Sequence, residues 1–247
     1  MKIPYLKCII LILGVGLTTM VMGQRNNPTI SLQIGYNAKF INSKPYNFAI
    51  DQYNSLNNLS VNLKPAKWGS GFSAGIGYHR GRSNIRLNAM LYGASSYAVG
   101  IDSTSGETFR RDVSLNGAVI SLGLMSELIK LYRDGHFLVG ASINFMNFNT
   151  ETLLVPEANY EKDTPLTDVS NDWKTSFTII APFRFGITPQ FKISLEPYYQ
   201  IFFSQVNLRD FSTAINGSLV NPGLPELASE PDHFGVNLSL IFMLKRG

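Results

Sequence analysis

Cysteine is almost absent: Cys8 is the only one in 247 residues, so the chain can build neither a disulfide framework nor a thiolate zinc cluster. Past the N-terminal stretch no uncharged apolar run reaches the roughly 20 residues that a transmembrane helix needs. Any membrane span must therefore be made of strands, whose backbone groups are satisfied in lipid only when the sheet closes on itself. No block of Lys and Arg interleaves with aromatics, which leaves nothing to suggest a nucleic-acid partner. Histidine is scarce too. His79, His136 and His233 show no Ser-His-acid or His-pair spacing, so the sequence offers no catalytic triad, metal site or cofactor site.

What is present begins with a leader. Lys2 and Lys7 precede an apolar run from Cys8 to Leu17, followed by Val21-Met22-Gly23, the pattern of a signal peptide over residues 1–23 with cleavage before Gln24. Cleavage would remove the sole cysteine and lower the formal charge from +4 to +2, so the basic character is a weak signal. Residues 24–247 are expected to form one domain.

The most informative stretch runs from Trp173 to Phe203. Phe177, Ile179, Ala181, Phe183, Phe185 and Ile187 share one parity, against Ser176, Thr178, Pro182, Arg184 and Gly186. After Thr188-Pro189-Gln190 the pattern resumes, with Phe191, Ile193, Leu195, Pro197, Tyr199, Ile201 and Phe203 opposing Lys192, Ser194, Glu196, Tyr198 and Gln200. A period of two means strands. A continuous apolar face opposite a polar, charged one is the alternation of a strand with lipid outside and a polar lumen inside.

The same alternation marks six further strands: Ile30–Phe40, Phe72–Tyr78, Asn84 to about Tyr97, Val113–Leu128, Phe137–Met146 and Phe234–Leu244. Val113–Leu128 is the least clean, because both parities carry apolar residues, and a bulge near Gly117 would account for that. Short turns are expected at Arg80-Gly81-Arg82-Ser83, Arg133-Asp134-Gly135-His136 and Pro189. Long loops are expected at Ile41–Trp68, Ala98–Asp112, Phe148–Asp172 and Gln205–Asp232. The third of these is acidic, with Glu151, Glu157, Glu161, Asp163, Asp168 and Asp172 against Lys162.

Eight strands with connections alternating long and short predict an all-β, eight-stranded antiparallel up-and-down transmembrane β-barrel, with short periplasmic turns, long external loops and both termini periplasmic. Such a barrel is narrow enough for side chains to fill its lumen. Lys39, Arg86, Glu127, Arg184, Lys192 and Glu196 fall on inward parities, and buried charges must be paired. Arg86, Glu127, Arg184, Lys192 and Glu196 are therefore read as a salt-bridged plug, the alternative being a charge-lined constriction. Pro182 deletes a ladder bond and suggests a bulge. Glycines alternating along the second strand leave lumen space beside Tyr92 or Tyr198. Trp68, Tyr97, Trp173, Phe203 and Phe234 gather at the long-loop ends and suit an interfacial girdle.

Through this strand rhythm, the Ile193-Ser194-Leu195-Glu196-Pro197-Tyr198-Tyr199 segment and the aromatic last strand, the mature chain resembles the small outer-membrane β-barrels of the Bacteroidota, of OmpA-like or PorT-like type. The resemblance implies insertion by the barrel-assembly machinery. It departs at Leu244-Lys245-Arg246-Gly247, where many such barrels end on an aromatic. The function expected is non-enzymatic: a structural or interaction barrel whose loops meet lipopolysaccharide, outer-membrane lipid or a protein partner. The alternatives are a narrow channel or secretion component, and an enzyme modifying lipid A.

Overall fold

The computed structural model describes residues 28–41, 43–131, 134–217, 227–229 and 233–244. The leader, the Asn221-Pro222-Gly223 segment and the C-terminal Lys245-Arg246-Gly247 lie outside them. In chain order the elements are β1 (Thr29–Ile41), α1 (Lys44–Leu56), β2 (Leu59–Val61), β3 (Trp68–Arg80), β4 (Ser83–Ile101), β5 (Thr108–Lys130), β6 (Gly135–Pro156), β7 (Thr167–Ile180), β8 (Phe183–Gly186), β9 (Phe191–Phe202), β10 (Val206–Asn207), α2 (Arg209–Asn216), β11 (Ala228–Ser229) and β12 (His233–Leu244). The antiparallel order β12-β1-β3-β4-β5-β6-β7-β9 closes on itself because β12 also pairs with β9, and β8 continues the course of β7 between β6 and β9. The result is a ring of 8 strands.

The turns joining β3 to β4, β5 to β6 and β8 to β9 are short, as the Gly81, Gly135 and Pro189 signals predict. Gly81 takes φ 59°, a left-handed conformation that costs a glycine little. Pro182 does not make a bulge. Ile180 opposes Tyr198 and Phe183 opposes Leu195, so the register is the same on both sides, and the bonds from Ala181 N to the Pro197 carbonyl and from Leu138 N to the Pro182 carbonyl carry the ladder through. The bulge expected near Gly117 is also absent: β4 and β5 pair without a shift from Ser83↔Ser126 to Ile101↔Thr108. A shift occurs instead between Glu127 and Ile129, where β5 meets β6.

The long connections differ most from the sequence expectation. Strands β4, β5 and β6 run for 19, 23 and 22 residues, about twice the 9–11 that cross a bilayer. The Ala98–Asp112 loop shrinks to the turn between Ile101 and Thr108, and Glu151, Asp168 and Asp172 of the acidic loop lie on β6 and β7. Ile41–Trp68 contains α1 and β2 rather than irregular chain, and Gln205–Asp232 contains α2 and the β10–β11 pair.

These extended strands invert their polarity partway along. In the short-turn half, outward Ile76, Leu87, Leu91, Ile120, Leu122, Ile143, Phe145 and Leu238 are exposed, while inward Ser31, Asn84, Arg86, Ser142, Asn144, Ser194 and Glu196 are buried. In the long-connection half, inward Tyr92, Val113, Leu115, Val119, Met146, Phe148 and Phe202 are buried and apolar. The outward neighbours on β5 and β6 there include the polar Asn116, Asn147, Asn149 and Glu151, beside exposed Tyr97, Ile101 and Trp173. One half is thus built for lipid outside, the other for water outside. The mixed parity of the Val113–Leu128 stretch records this change of phase, since Ala118, Ile120 and Leu122 point out below it while Val113 and Leu115 point in above it.

Two helices close the long-connection end. Tyr46, Ala49, Ile50 and Tyr53 of α1 and Phe211 and Ile215 of α2 are buried in one apolar cluster with Leu115, Met146 and Phe148 of the barrel interior. The Tyr46 and Phe211 rings stack with centroids 5.0 Å apart, and Asn216 Nδ2 of α2 donates to the Ala49 carbonyl of α1 at 3.2 Å. Spacing of i, i+3, i+4, i+7 puts the four α1 residues on one face, and Pro45 in the first turn costs no hydrogen bond there.

Candidate functional site

The inward charges sit in the short-turn half, on strands far apart in sequence that the ring makes neighbours. Arg86 of β4 and Glu196 of β9 form a buried ion pair, with Nη1 2.7 Å from Oε2 and 2.8 Å from Oε1. The carboxylate is further held by Ser194 Oγ at 2.9 Å, Gln33 Nε2 at 3.3 Å and Asn237 Nδ2 at 3.3 Å. Gln33 returns its Oε1 to Arg86 at 3.1 Å and donates to Ser239 Oγ at 2.7 Å. Ser73 Oγ donates to Asn237 Oδ1 at 2.9 Å. Satisfying the remaining lone pairs in this way is what makes a buried pair tolerable.

The other predicted charges do not join this network. Glu127 pairs with His136 Nδ1 at 2.9 Å rather than with a lumen arginine. Arg184 is 5% exposed, yet its Nη2 meets only Met125 Sδ, at 3.8 Å, and its Nε has no partner among the described residues. Lys39 lies deeper, toward the inversion, donating from Nζ to Gln200 Oε1 at 2.7 Å with the Tyr92 ring 4.3 Å away. Glu127, Arg184 and Lys192 instead line a cavity of about 310 Å³ at the short-turn end, together with His79, Arg82 and His136.

Sequence spacing missed two features. Ser31 Oγ lies 2.7 Å from His79 Nε2, a pair from residues 48 apart that only strand pairing brings together. No carboxylate bonds the other His79 nitrogen among the described residues, so the contact lacks the third member that orients a catalytic histidine. His233 is fully buried between the Phe148 and Phe202 rings, with neither ring nitrogen bonded among the described residues. Its place at the start of the last strand is legible in the sequence; its apolar surroundings are not.

Above the ion pair the lumen is filled. Asn144 Nδ2 donates to Thr178 Oγ1 at 2.8 Å and Ser176 Oγ at 3.0 Å, and Gln200 Nε2 to Ser176 Oγ at 2.6 Å. The gap beside them, about 40 Å³, is the space of one or two waters. Glycine makes the close packing possible: a Cβ at Gly117 would lie 2.2 Å from Tyr92 Cζ, and one at Gly235 would lie 2.5 Å from the Tyr198 hydroxyl. Beyond Tyr92 begins the apolar core sealed by α1 and α2.

Comparison of the sequence with known protein families and with curated proteins finds no match. Solved structures do match in overall course. Neisserial surface protein A is 10% identical, covers 88% of this chain and 99% of its own, and superposes with a TM-score of 0.48. Ail, the attachment invasion locus protein of Yersinia pestis, is 12% identical over 89% of this chain and 100% of its own, with a TM-score of 0.43. The N-terminal β-barrel domain of Pseudomonas aeruginosa OprF is 14% identical over 88% and 100%, with a TM-score of 0.39. At these identities and TM-scores the three say nothing about what this chain binds.

Proposed function

We propose that the mature chain is a non-enzymatic, non-conducting barrel of the bacterial outer membrane, of the small OmpA-like or PorT-like kind. It faces its short turns and both termini to the periplasm and its helical cap to the exterior, where it meets lipopolysaccharide or a protein partner. The observation that carries this reading is the continuity of the interior apolar core with α1 and α2. A chain that fills its own mouth with Tyr46, Phe148 and Phe211 has committed the lumen to holding a platform, and the remaining large accessible surface is outside it. The exposed belt of Ile76, Leu87, Leu122, Ile143 and Leu238 supports insertion, and Trp68, Tyr97, Trp173, Phe203 and Phe234, all exposed, support an aromatic girdle at its upper edge.

The test has two parts. Purified protein in planar bilayers is expected to show no current steps, and photocrosslinkers placed on the exposed Asp51 of α1 in intact cells are expected to capture lipopolysaccharide or a protein. A second reading, the barrel as a component of a larger secretion or uptake assembly, is favoured by the cavity holding Arg184 and Lys192 at the short-turn end. Stepwise conductance, or copurification in a larger complex held through that end, would favour it instead.

A further inference from the structure

At the level where the strands invert, the outer wall is notched. Gly93 of β4 faces outward and lies opposite Ser70 of β3 and Asn116 of β5. Lacking a Cβ, it forms the floor of a groove of about 510 Å³, inside the roughly 300–1,000 Å³ of small-molecule sites. The two sides of this groove differ. Toward the belt it is bounded by Phe72 and Leu91, 73% and 63% exposed. Away from the belt it is bounded by Asn116, Asn147, Asn149 and Asn171.

The asparagines are held by carboxylates on the same outer face. Asn116 Nδ2 donates to Glu151 Oε2 at 3.1 Å, and Asn149 Nδ2 to Glu151 Oε1 and to Asp168 Oδ1, both at 2.9 Å. The Oδ1 atoms of Asn147 and Asn149 are covered from solvent, so the amide within reach of a ligand hydroxyl is that of the exposed Asn171, which can both donate and accept. No Lys or Arg among the described residues lines the groove, and two carboxylates stand beside it, so phosphate is repelled and neutral hydroxyls are favoured. Trp173 of β7, paired with Asn147 of β6 and 62% exposed, supplies a flat amphipathic ring of the kind that sits where one end of a ligand is apolar and the other wet.

We infer that this groove binds the neutral saccharide headgroup of a membrane glycolipid, with a sugar hydroxyl on the Asn171 amide and the acyl chains along Phe72 and Leu91. The occupant is lipid-borne because the groove straddles the belt edge, and it is a sugar because the polar side offers amides without cations. The inference rests on the membrane-barrel reading above and adds a ligand class to it.

The experiment uses the mature barrel refolded into amine-oxide micelles, since sugar-based detergents would compete. Native mass spectrometry then measures retention of monoglucosyl diacylglycerol against phosphatidylglycerol with the same acyl chains. The wild type is expected to retain the glucolipid at least about tenfold better, which is a difference of roughly 1.4 kcal/mol. Gly93→Val, whose new side chain enters the groove where a Cβ would lie 2.7 Å from Asn116 Oδ1, is expected to abolish that preference. Asn171→Ala leaves the groove open, is expected to weaken retention severalfold, and keeps the test valid if the valine variant does not fold. Equal retention of phosphatidylglycerol, retention unchanged by Asn171→Ala, or free methyl glucoside bound as tightly as the lipid would overturn the inference. A chain that stays in water without micelles overturns the barrel reading as well, whereas a micelle-inserted barrel that retains no glucolipid overturns the groove alone.

Discussion

At the scale of single residues, the lumen separates a paired charge from an unpaired one. Arg86 and Glu196 hold each other at 2.7 Å, so Glu196→Gln strands a buried guanidinium and should destabilise the barrel by about 3 kcal/mol or more. Arg184 has no carboxylate within ion-pair distance among the described residues, and Arg184→Met, similar in length and apolar, should stay within about 1 kcal/mol of wild type. Urea titration of both variants in micelles, followed by tryptophan fluorescence, checks the contrast. Gly117→Ala should cost about 1–3 kcal/mol in the same titration, because the added Cβ meets the Tyr92 ring. Parity alone places all five charges inside, but it carries no information on height along the lumen. Height decides partners, which is why the pairing of Glu127 with His136 cannot be read from alternation.

At the scale of elements, the eight strands are legible because alternation reports one physical fact, a sheet with two unlike faces. The cap is not, although its signal is present: Tyr46, Ala49, Ile50 and Tyr53 recur at helical spacing within a stretch whose Asn, Ser, Lys and Pro content suggests a loop. Phe48, off that face, blurs the pattern. Emptying the Tyr46 site with Tyr46→Ala should cost the cap about 3 kcal/mol, seen as new protease cleavage in residues 44–56 while the barrel strands stay protected. Burial holds the Tyr46 phenol above the ordinary tyrosine value. Above about pH 10 the unfolded cap releases that proton and the folded cap retains it, so the cap should loosen as pH rises from there. It should be intact below that pH, and Tyr46→Phe should remove the alkaline step from a protease-sensitivity profile.

At the scale of the whole molecule, the inversion of polarity explains both the blurred strand ends and the hidden core. The apparent ends of strands near Tyr97 and Met146 are places where apolar residues change parity, not where pairing stops. On β6 the lower alternation, with Ile143 and Phe145 outward, passes directly into Met146 and Phe148 inward. A truncation that removes α1 by joining Ile41 to Leu59 should leave a barrel that inserts but leaks small ions, because the apolar upper lumen then lies open to water. Conductance recorded beside the wild type checks that.

Strands that turn their greasy side inward partway up also set how far the protein can sink. The half of β6 beyond Phe145, roughly 11 residues at about 3.3 Å each and a tilt near 40°, forms a collar roughly 28 Å tall. Its asparagines and carboxylates cannot follow the lower half into hydrocarbon, so the collar works as a depth stop. The helices ride on top of it as on a pedestal, lifted clear of the headgroups, at a height where an approaching macromolecule touches protein before it touches lipid.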